Sequence, residues 1–171
     1  KALRTVKPLE ELAKILDIEY PGHIEIFDNS NLQGQHAVSA MVVYRAGKPY
    51  KKDYRKFRIK TVEGADDYHT MQEVIKRRYS RVIRENLPQP DLIIVDGGTP
   101  QVISAQKMLD ELGLETIPVM GLAKDERHKT RAIINSDLEE ITIDKKSNLF
   151  LLLEAMQNEV HRFAITFHLA K

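Results

Sequence analysis

The sequence predicts an α/β fold in which a mixed β-sheet is flanked by helices. Three observations support this prediction: three strand-like segments near the amino end, an apolar run without alternation at 92–95, and apolar stripes of helical period around that run. An order of strands followed by alternating helices and strands is typical of a sheet whose faces are covered by helices. The 171 residues and the 42% hydrophobic content suffice for one such domain.

A lead-in helix is predicted before the sheet. Apolar side chains recur at helical spacing over residues 8–16, with Pro8 in the first helical position. A Pro-Gly pair then ends the segment, so residues 1–20 are interpreted as an N-terminal helical lead-in and residues 21–171 as the main domain. Because the chain starts with Lys1 and not with methionine, we expect it to be a piece of a longer polypeptide.

Three strands are predicted next, at 23–28, 37–44 and 49–59. The third strand alternates aromatic and basic side chains, which is typical of a strand with one packed and one solvated side. Because Ala46 and Gly47 form a turn between the second and third strands, we expect an antiparallel meander.

The rest of the chain alternates helices and strands. A helix capped by Asp66 or Asp67 precedes the apolar run at 92–95, which is typical of a strand buried on both faces in a parallel part of a sheet. Thr99 is predicted to cap the following helix, with Pro100 at its first position. The remaining predicted elements are a strand near 117–122, a hairpin of 132–135 with 140–143, and a last helix opened by Ser147.

The composition restricts the possible chemistry. The chain has 0 cysteines, which excludes disulfides, thiolate zinc sites and cysteine nucleophiles, and which suits the reducing cytoplasm where we expect the protein to act. No apolar run approaches the roughly 20 residues needed to span a bilayer, so no membrane partner is expected. Any metal would have to bind through aspartate, glutamate or histidine.

Basic side chains are concentrated in two groups, although the formal net charge is only +1. One group lies within residues 45–60, where Asp53 is the single acid. The other lies on the helix predicted before 92–95. Such groups are typical of surfaces that contact nucleic-acid phosphates. A charged, solvated sheet edge and basic residues that complement a helix dipole remain alternatives. The residues predicted to bind DNA are Lys51, Lys52, Arg55, Lys56, Arg77, Arg81 and Arg84.

Two aspartates lie at the ends of predicted strands. Asp28 closes the first strand, and Asp96 follows the apolar run. If these strands are adjacent, about 4.8 Å apart, the two carboxylates meet and repel each other. A divalent cation between them reverses the sign of that interaction, and Mn²⁺ or Mg²⁺ suits hard oxygen ligands and can bridge to phosphate oxygens. The pattern therefore predicts a metal site able to support phosphodiester cleavage.

His161 lies on the last predicted helix, close to its apolar stripe, so its ring can border the core and reach a cleft. An imidazole suits either a general base for the attacking water or a further metal ligand, and both roles stay open. Each residue of the group also has a purely structural alternative. Asp28 begins an Asx-rich stretch, Asp96 precedes a Gly-Gly pair that fits an ordinary βα turn, and a lone helical histidine is usually structural.

Several motifs follow one another in an order that resembles the conserved pattern of the UvrC family. The resemblance covers about residues 22–168, nearly the whole chain. The motifs are I-E-I-F-D-N-S-N-L-Q-G at 24–34, D-Y-R-K-F-R-I at 53–59, D-D-Y at 66–68, R-R-Y at 77–79, P-D-L-I-I-V-D-G-G-T-P-Q at 90–101, G-L-A-K at 121–124 and E-V-H-R-F-A-I at 159–165.

The resemblance implies a ribonuclease-H-like endonuclease domain that makes the incision on the 5′ side of a lesion in nucleotide excision repair. It implies double-stranded damaged DNA as the substrate, held by the partner UvrB. The family's catalytic centre falls on Asp28, Asp96 and His161, with the two aspartates as metal ligands. The motif positions expected to support the centre or to position phosphate are Glu25, Arg78, Lys124 and Arg162.

The sequence departs from the family pattern at two positions. Asn158 stands where aspartate is common, which could weaken a contact beside the centre, and Leu169 replaces a basic residue. The GIY-YIG nuclease and helix-hairpin-helix parts of UvrC have no counterpart in these residues, so we expect weak binding to free DNA. A non-catalytic DNA-binding or docking module is the alternative function. A nucleotide pocket at Asp96 is disfavoured because neither G-x-G-x-x-G nor a Walker pattern is present.

Overall fold

The computed structural model describes residues 2–31, 37–59, 67–124 and 130–169, without some side chains at the ends of these segments. These segments form four α-helices and one mixed sheet of 8 strands. In chain order the elements are α1 (Ala2–Leu16), β1 (His23–Asn31), β2 (Ala37–Arg45), β3 (Lys48–Pro49), β4 (Arg55–Arg58), α2 (Asp67–Arg84), β5 (Leu92–Asp96), α3 (Thr99–Glu111), β6 (Val119–Lys124), β7 (Thr130–Ile134), β8 (Glu140–Thr142) and α4 (Asn148–Leu169).

The sheet has the order β3-β2-β1-β5-β6-β7-β8, and β4 pairs with β2 beside β3. Pairing is parallel between β1 and β5 and between β5 and β6, and antiparallel elsewhere. The predicted mixed sheet of an antiparallel meander plus parallel strands is therefore confirmed. Residues 92–95 of β5 are fully buried, as their continuous apolar character predicts for a strand covered on both faces.

The helices cover the two faces of the sheet in pairs. Alternate residues of β1 point to opposite faces, and its Phe27 contacts Tyr79 of α2 while its Asp28 contacts His161 of α4. Helix α3 packs beside α2, and α1 packs against α4. We call these two sides the α2 face and the α4 face. None of the described helices is both long and apolar enough to cross a membrane.

The lead-in helix is longer than predicted. Helix α1 begins at Ala2 and contains Pro8, whose missing N–H removes one helical hydrogen bond without ending the helix. Leu9 and Leu12 are fully buried in the same hydrophobic core as the sheet. The division into 1–20 and 21–171 stays a prediction.

Three local predictions differ from the structure or lie outside it. The strand predicted at 49–59 is divided into β3 and β4 by a 3₁₀ turn, Lys51–Asp53. Helix α3 is capped by Gly98 and not by Thr99, because the side chain of Gln101 accepts a hydrogen bond from the Gly98 N–H. The predicted cap at Asp66 lies outside the described residues.

Two predictions in the last third of the chain are confirmed. The hairpin forms between β7 and β8, with Ile133 paired to Ile141. Ser147 caps α4, since its Oγ accepts a hydrogen bond from the Phe150 N–H at 3.0 Å.

Candidate metal centre

The parallel pairing of β1 and β5 brings the two predicted aspartates together. Phe27 is paired with Val95, so Asp28 and Asp96 are the next residues at the same edge of the sheet. The Asp96 side chain is 1% exposed and that of Asp28 is 11% exposed. Burial of two carboxylates side by side is costly unless their charge is compensated.

Helix α4 crosses the α4 face and brings His161 to both aspartates. The Nε2 atom of His161 lies 2.7 Å from Asp96 Oδ2 and 3.4 Å from Asp28 Oδ2. The helix is held there by Val160 and Ala164, which are buried in the core. The His161 side chain is 31% exposed, so the centre opens to solvent beside the imidazole while the carboxylates lie below it.

Gln157 is a member of the centre that the sequence reasoning missed. It lies one helical turn before His161, and its Nε2 donates a hydrogen bond to Asp96 Oδ1 at 2.7 Å. The residue is only 2% exposed. The two oxygens of Asp96 thus have different neighbours, the amide at Oδ1 and the imidazole at Oδ2. The signal that could have identified Gln157 is its i, i+4 spacing to His161, which places both on one face of a helix.

The geometry of the three predicted residues fits a divalent cation. One ligand atom from each of Asp28, Asp96 and His161 can be chosen so that all lie within 4.8 Å of one another. Ligands held about 2.1 Å from an octahedral ion lie roughly 3 to 4.2 Å apart, so small side-chain shifts would suffice. The two carboxylates supply the hard oxygen ligands that suit Mg²⁺ and Mn²⁺, and the imidazole could add a nitrogen ligand.

Glu25 and Arg78, predicted to support the centre, bind each other on the α2 face. Arg78 Nη2 lies 3.0 Å from Glu25 Oε2, and the carboxylate also contacts the Tyr79 hydroxyl and, at 3.0 Å, His23 Nε2. Burial alone would raise the pKa of Glu25, but the hydrogen bonds from His23 and Arg78 and the charge of Arg78 outweigh it and lower that pKa. Any support that this pair gives to Asp28 must therefore pass through β1.

Arg162, also predicted to support the centre, forms a two-point contact with Glu159 on α4. Its Nε and Nη2 lie 2.9 and 2.8 Å from the two carboxylate oxygens, one of which also accepts a 2.7 Å hydrogen bond from the Tyr54 hydroxyl. The hydrogen bond from Arg162 is the main cause of the lowered pKa of Glu159. The Lys124 side chain lies outside the described residues.

The predicted DNA-binding residues are divided between the two faces. Asp28 is paired with Ala40, and Ala40 with Lys56, so Lys56 points to the same side of the sheet as the centre. Its ammonium lies 4.4 Å from the centroid of the Phe163 ring on α4. The charge of Lys51 also reaches this face, since it helps to lower the pKa of Glu159.

Other members of the predicted DNA-binding set lie on the α2 face or at the solvent side of α2. Arg55 alternates with Lys56 along β4, and the Arg77 guanidinium lies 5.6 Å from the Phe57 ring centroid. Arg81 forms an exposed ion pair with Glu85. Arg84 is exposed at the end of α2. Lys52, which completes the set, is exposed in the 3₁₀ turn Lys51–Asp53.

Comparison with solved structures establishes the class of fold. Endonuclease V from Bacillus subtilis superposes with a TM-score of 0.51 at 12% identity, over 95% of this chain and 92% of that chain. Ciona intestinalis endonuclease V, in complex with a 24-mer DNA containing an inosine, gives a TM-score of 0.43 at 20% identity over 70% of this chain. This chain spans only 55% of the length of that Ciona protein. The fold is ribonuclease-H-like, as the family resemblance implied.

The family is established by the sequence. Residues 13–165 match the UvrC RNAse H endonuclease domain family, so the match extends over most of the chain. The chain belongs to this family and contains its endonuclease domain.

Proposed function

We propose that this domain is a divalent-metal-dependent DNA endonuclease that makes the 5′ incision at damaged DNA in nucleotide excision repair. The observation that carries the proposal is the convergence of Asp28, Asp96 and His161 at one edge of the sheet. Membership of an endonuclease domain family supports the reaction class. UvrB, the remaining UvrC domains and a cytoplasmic location are part of the proposal, as the family resemblance implies.

The residues divide the work of phosphodiester hydrolysis among them. Asp28 and Asp96 would hold Mn²⁺ or Mg²⁺, which when bound acidifies a water molecule and offsets the charge that develops on the phosphate. The partly exposed imidazole of His161 reaches the same place, where it would accept a proton from that water or act as a further ligand. Gln157 holds one oxygen of Asp96 through its amide, which fixes the direction of the other.

Basic residues on the α4 face would hold the DNA backbone beside the centre. Lys56 lies on this face at the register of Asp28, two strands or roughly 10 Å away, a distance of the order of one or two phosphate spacings. Arg77, Arg81 and Arg84 would reach only DNA that passes around to α2. Such contacts imply that DNA binding weakens as salt rises.

The proposal is tested by substituting each of the three residues and measuring both metal binding and cutting. Asp28→Asn, Asp96→Asn and His161→Ala are compared with Asp110→Asn, which makes the same chemical change at an exposed position on α3. Calorimetric titration with Mn²⁺ and nicking of damaged duplex DNA in the presence of UvrB are the measurements. We expect weakened metal binding in both aspartate variants, loss of nicking in all three, and neither effect in the control.

Two results would count against this assignment. If metal-dependent nicking survives in all three variants, Asp28, Asp96 and His161 do not form the catalytic centre. Salt-sensitive DNA association by a protein that binds neither Mn²⁺ nor Mg²⁺ would favour the non-catalytic module.

A further inference from the structure

A second group of charged side chains lies at the amino end of β1, on the α2 face. It surrounds a cavity of about 80 Å³. Leu87 and Pro88 form the apolar part of its wall. We call this cavity the arginine pocket. The charged and titratable side chains that line it are His23, Arg45, Asp53, Arg55 and Arg78.

The guanidinium groups of the arginine pocket retain donor capacity. Arg45 Nη2 makes a long contact of 3.4 Å with Asp53, and Arg45 Nε is buried without a hydrogen-bond partner among the described residues. A buried donor left unsatisfied costs free energy, which a ligand acceptor would recover. Arg55 donates through Nη1 to the carbonyl oxygens of Lys52 and Tyr54, at 3.2 and 2.8 Å.

The charges around the arginine pocket favour an anion. Three guanidinium groups line it, and Asp53 is the one acid among its lining residues in the described part of the chain. Arg78 is also paired with Glu25, which lies behind the wall and lowers the net positive charge without filling the cavity. Like charges held around one cavity repel each other, and an anion between them makes the interaction attractive.

We infer that the arginine pocket binds one phosphate group. Its volume corresponds to two or three waters at about 30 Å³ each, which is room for a single tetrahedral oxyanion. The planar donor fork of arginine matches two phosphate oxygens at once, which makes phosphate the best-fitting oxyanion for three such groups. The group can come from a DNA backbone or from free phosphate.

The arginine pocket is separate from the candidate metal centre. His23 and Asp28 mark the two positions on β1, about 17 Å apart along the strand and on opposite faces. The inference therefore stands independently of the proposed nuclease activity, and the metal-site variants do not test it.

The inference is tested by calorimetric titration of the whole chain with inorganic phosphate, with sodium chloride as the reference titrant. Arg45→Gln and Arg55→Gln remove one guanidinium each from the arginine pocket. Lys107→Gln removes the same charge at an exposed position on α3, outside the arginine pocket and outside the predicted DNA-binding set. We expect saturable phosphate binding that each pocket variant weakens about tenfold, as loss of a charge-assisted hydrogen bond predicts, and that the Lys107 variant leaves unchanged.

A competition experiment with duplex DNA distinguishes the two sources of phosphate. If the backbone is the source, a short duplex displaces inorganic phosphate, and Arg45→Gln weakens duplex binding more than Lys107→Gln does. If free phosphate is the ligand, the duplex does not compete. Absence of saturable phosphate binding at millimolar concentrations would overturn the inference, as would equal weakening of phosphate binding in the Arg45 and Lys107 variants.

Discussion

Glu25 and Asp28 are buried acids three positions apart on one strand, yet they have opposite surroundings. Glu25 faces α2, where a guanidinium, a hydroxyl and an imidazole contact it. Asp28 faces α4, where it lies beside a second carboxylate, that of Asp96. The α2 face thus compensates its acid with protein groups, whereas the α4 face brings two acids together where a cation could bind. Strand alternation alone separates the two environments.

The comparison predicts the largest effect for Asp96→Asn, as a loss of nicking without loss of stability. We expect a decrease in nicking rate of about a thousandfold, because under the proposed function several kcal/mol of transition-state stabilisation would depend on the bound ion. The metal-free variant should unfold at the wild-type temperature or above it, since one of two repelling charges is removed. Nicking rates and thermal unfolding measure the two effects. A strongly destabilised variant would show that Asp96 is structural.

Glu25→Gln should have the opposite pattern to Asp96→Asn. We expect a large decrease in the free energy of unfolding and little change in Mn²⁺ affinity. Removal of one partner from a buried ion pair leaves Arg78 buried without its counter-charge and costs about 3 kcal/mol or more. Urea unfolding measures the loss, with Glu139→Gln at an exposed position as the control. If Glu25→Gln keeps wild-type stability but loses Mn²⁺ affinity, the division of roles between the two faces is wrong.

Gln157→Leu should have an intermediate effect on the α4 face. The variant removes the amide that holds Asp96 Oδ1, and loss of a hydrogen bond to a metal ligand costs about tenfold to a hundredfold in metal affinity or activity. Mn²⁺ titration measures the change, and Gln106→Leu on α3 is the matched control. Partial rescue by Gln157→Asn would support positioning through the amide. Unchanged Mn²⁺ affinity and nicking rate in Gln157→Leu would exclude that role.

Lys56→Ala and Arg77→Ala compare how much one basic side chain on each face contributes to DNA binding. Lys56 lies on the side of the centre, so its loss should weaken DNA binding and reduce the slope of log K against log salt by about one. Arg77→Ala should change both quantities less, because its guanidinium lies on the α2 face. DNA-binding titrations at several salt concentrations decide between the two residues. A larger effect of Arg77 would place the DNA on the opposite face.

The smallest expected effect is a pH dependence of stability that originates at Glu25. The folded-state pKa of Glu25 is lowered, so its contribution to stability is fully present above its unfolded pKa of about 4.3 and is lost as the pH falls through the folded value. The stability difference between the wild type and Glu25→Gln should therefore narrow as the pH falls below about 4.3. Urea unfolding from pH 6 to pH 3 measures it. A difference that stays constant over that range would contradict the lowered pKa.

Periodicity in the sequence was sufficient to predict most of the strands and the mixed character of the sheet. It does not show which strands are neighbours, so the meeting of the two aspartates was predicted only on the condition that β1 and β5 are adjacent. The parallel register of these strands meets that condition and brings Asp28 beside Asp96. Partners far apart in the chain were harder to predict. Glu25 and Arg78 are separated by 53 positions, so a motif match could not show that they neutralise each other.

Tertiary packing also overrides the local secondary-structure pattern at some positions. The strand predicted at 49–59 is interrupted because Lys51–Asp53 turns, so that Tyr54 reaches Glu159 on α4. Gln157 was missed because its i, i+4 spacing to His161 places it on the same face of the helix but does not show that it contacts Asp96. These features depend on how α4 lies across the sheet, which the hydrophobic pattern of the helix leaves open.

The amino-terminal helix α1 packs against α4, so it can affect the position of the candidate metal centre without contributing a residue to it. Helix α4 carries both Gln157 and His161, and α1 covers it with the fully buried Leu9 and Leu12. A shortened chain that starts at residue 21 would lose these leucines and uncover the apolar surface against which they pack. The imidazole would then lie on a helix that has lost its packing against α1, so we expect its alignment with the two carboxylates to depend in part on leucines outside the candidate metal centre.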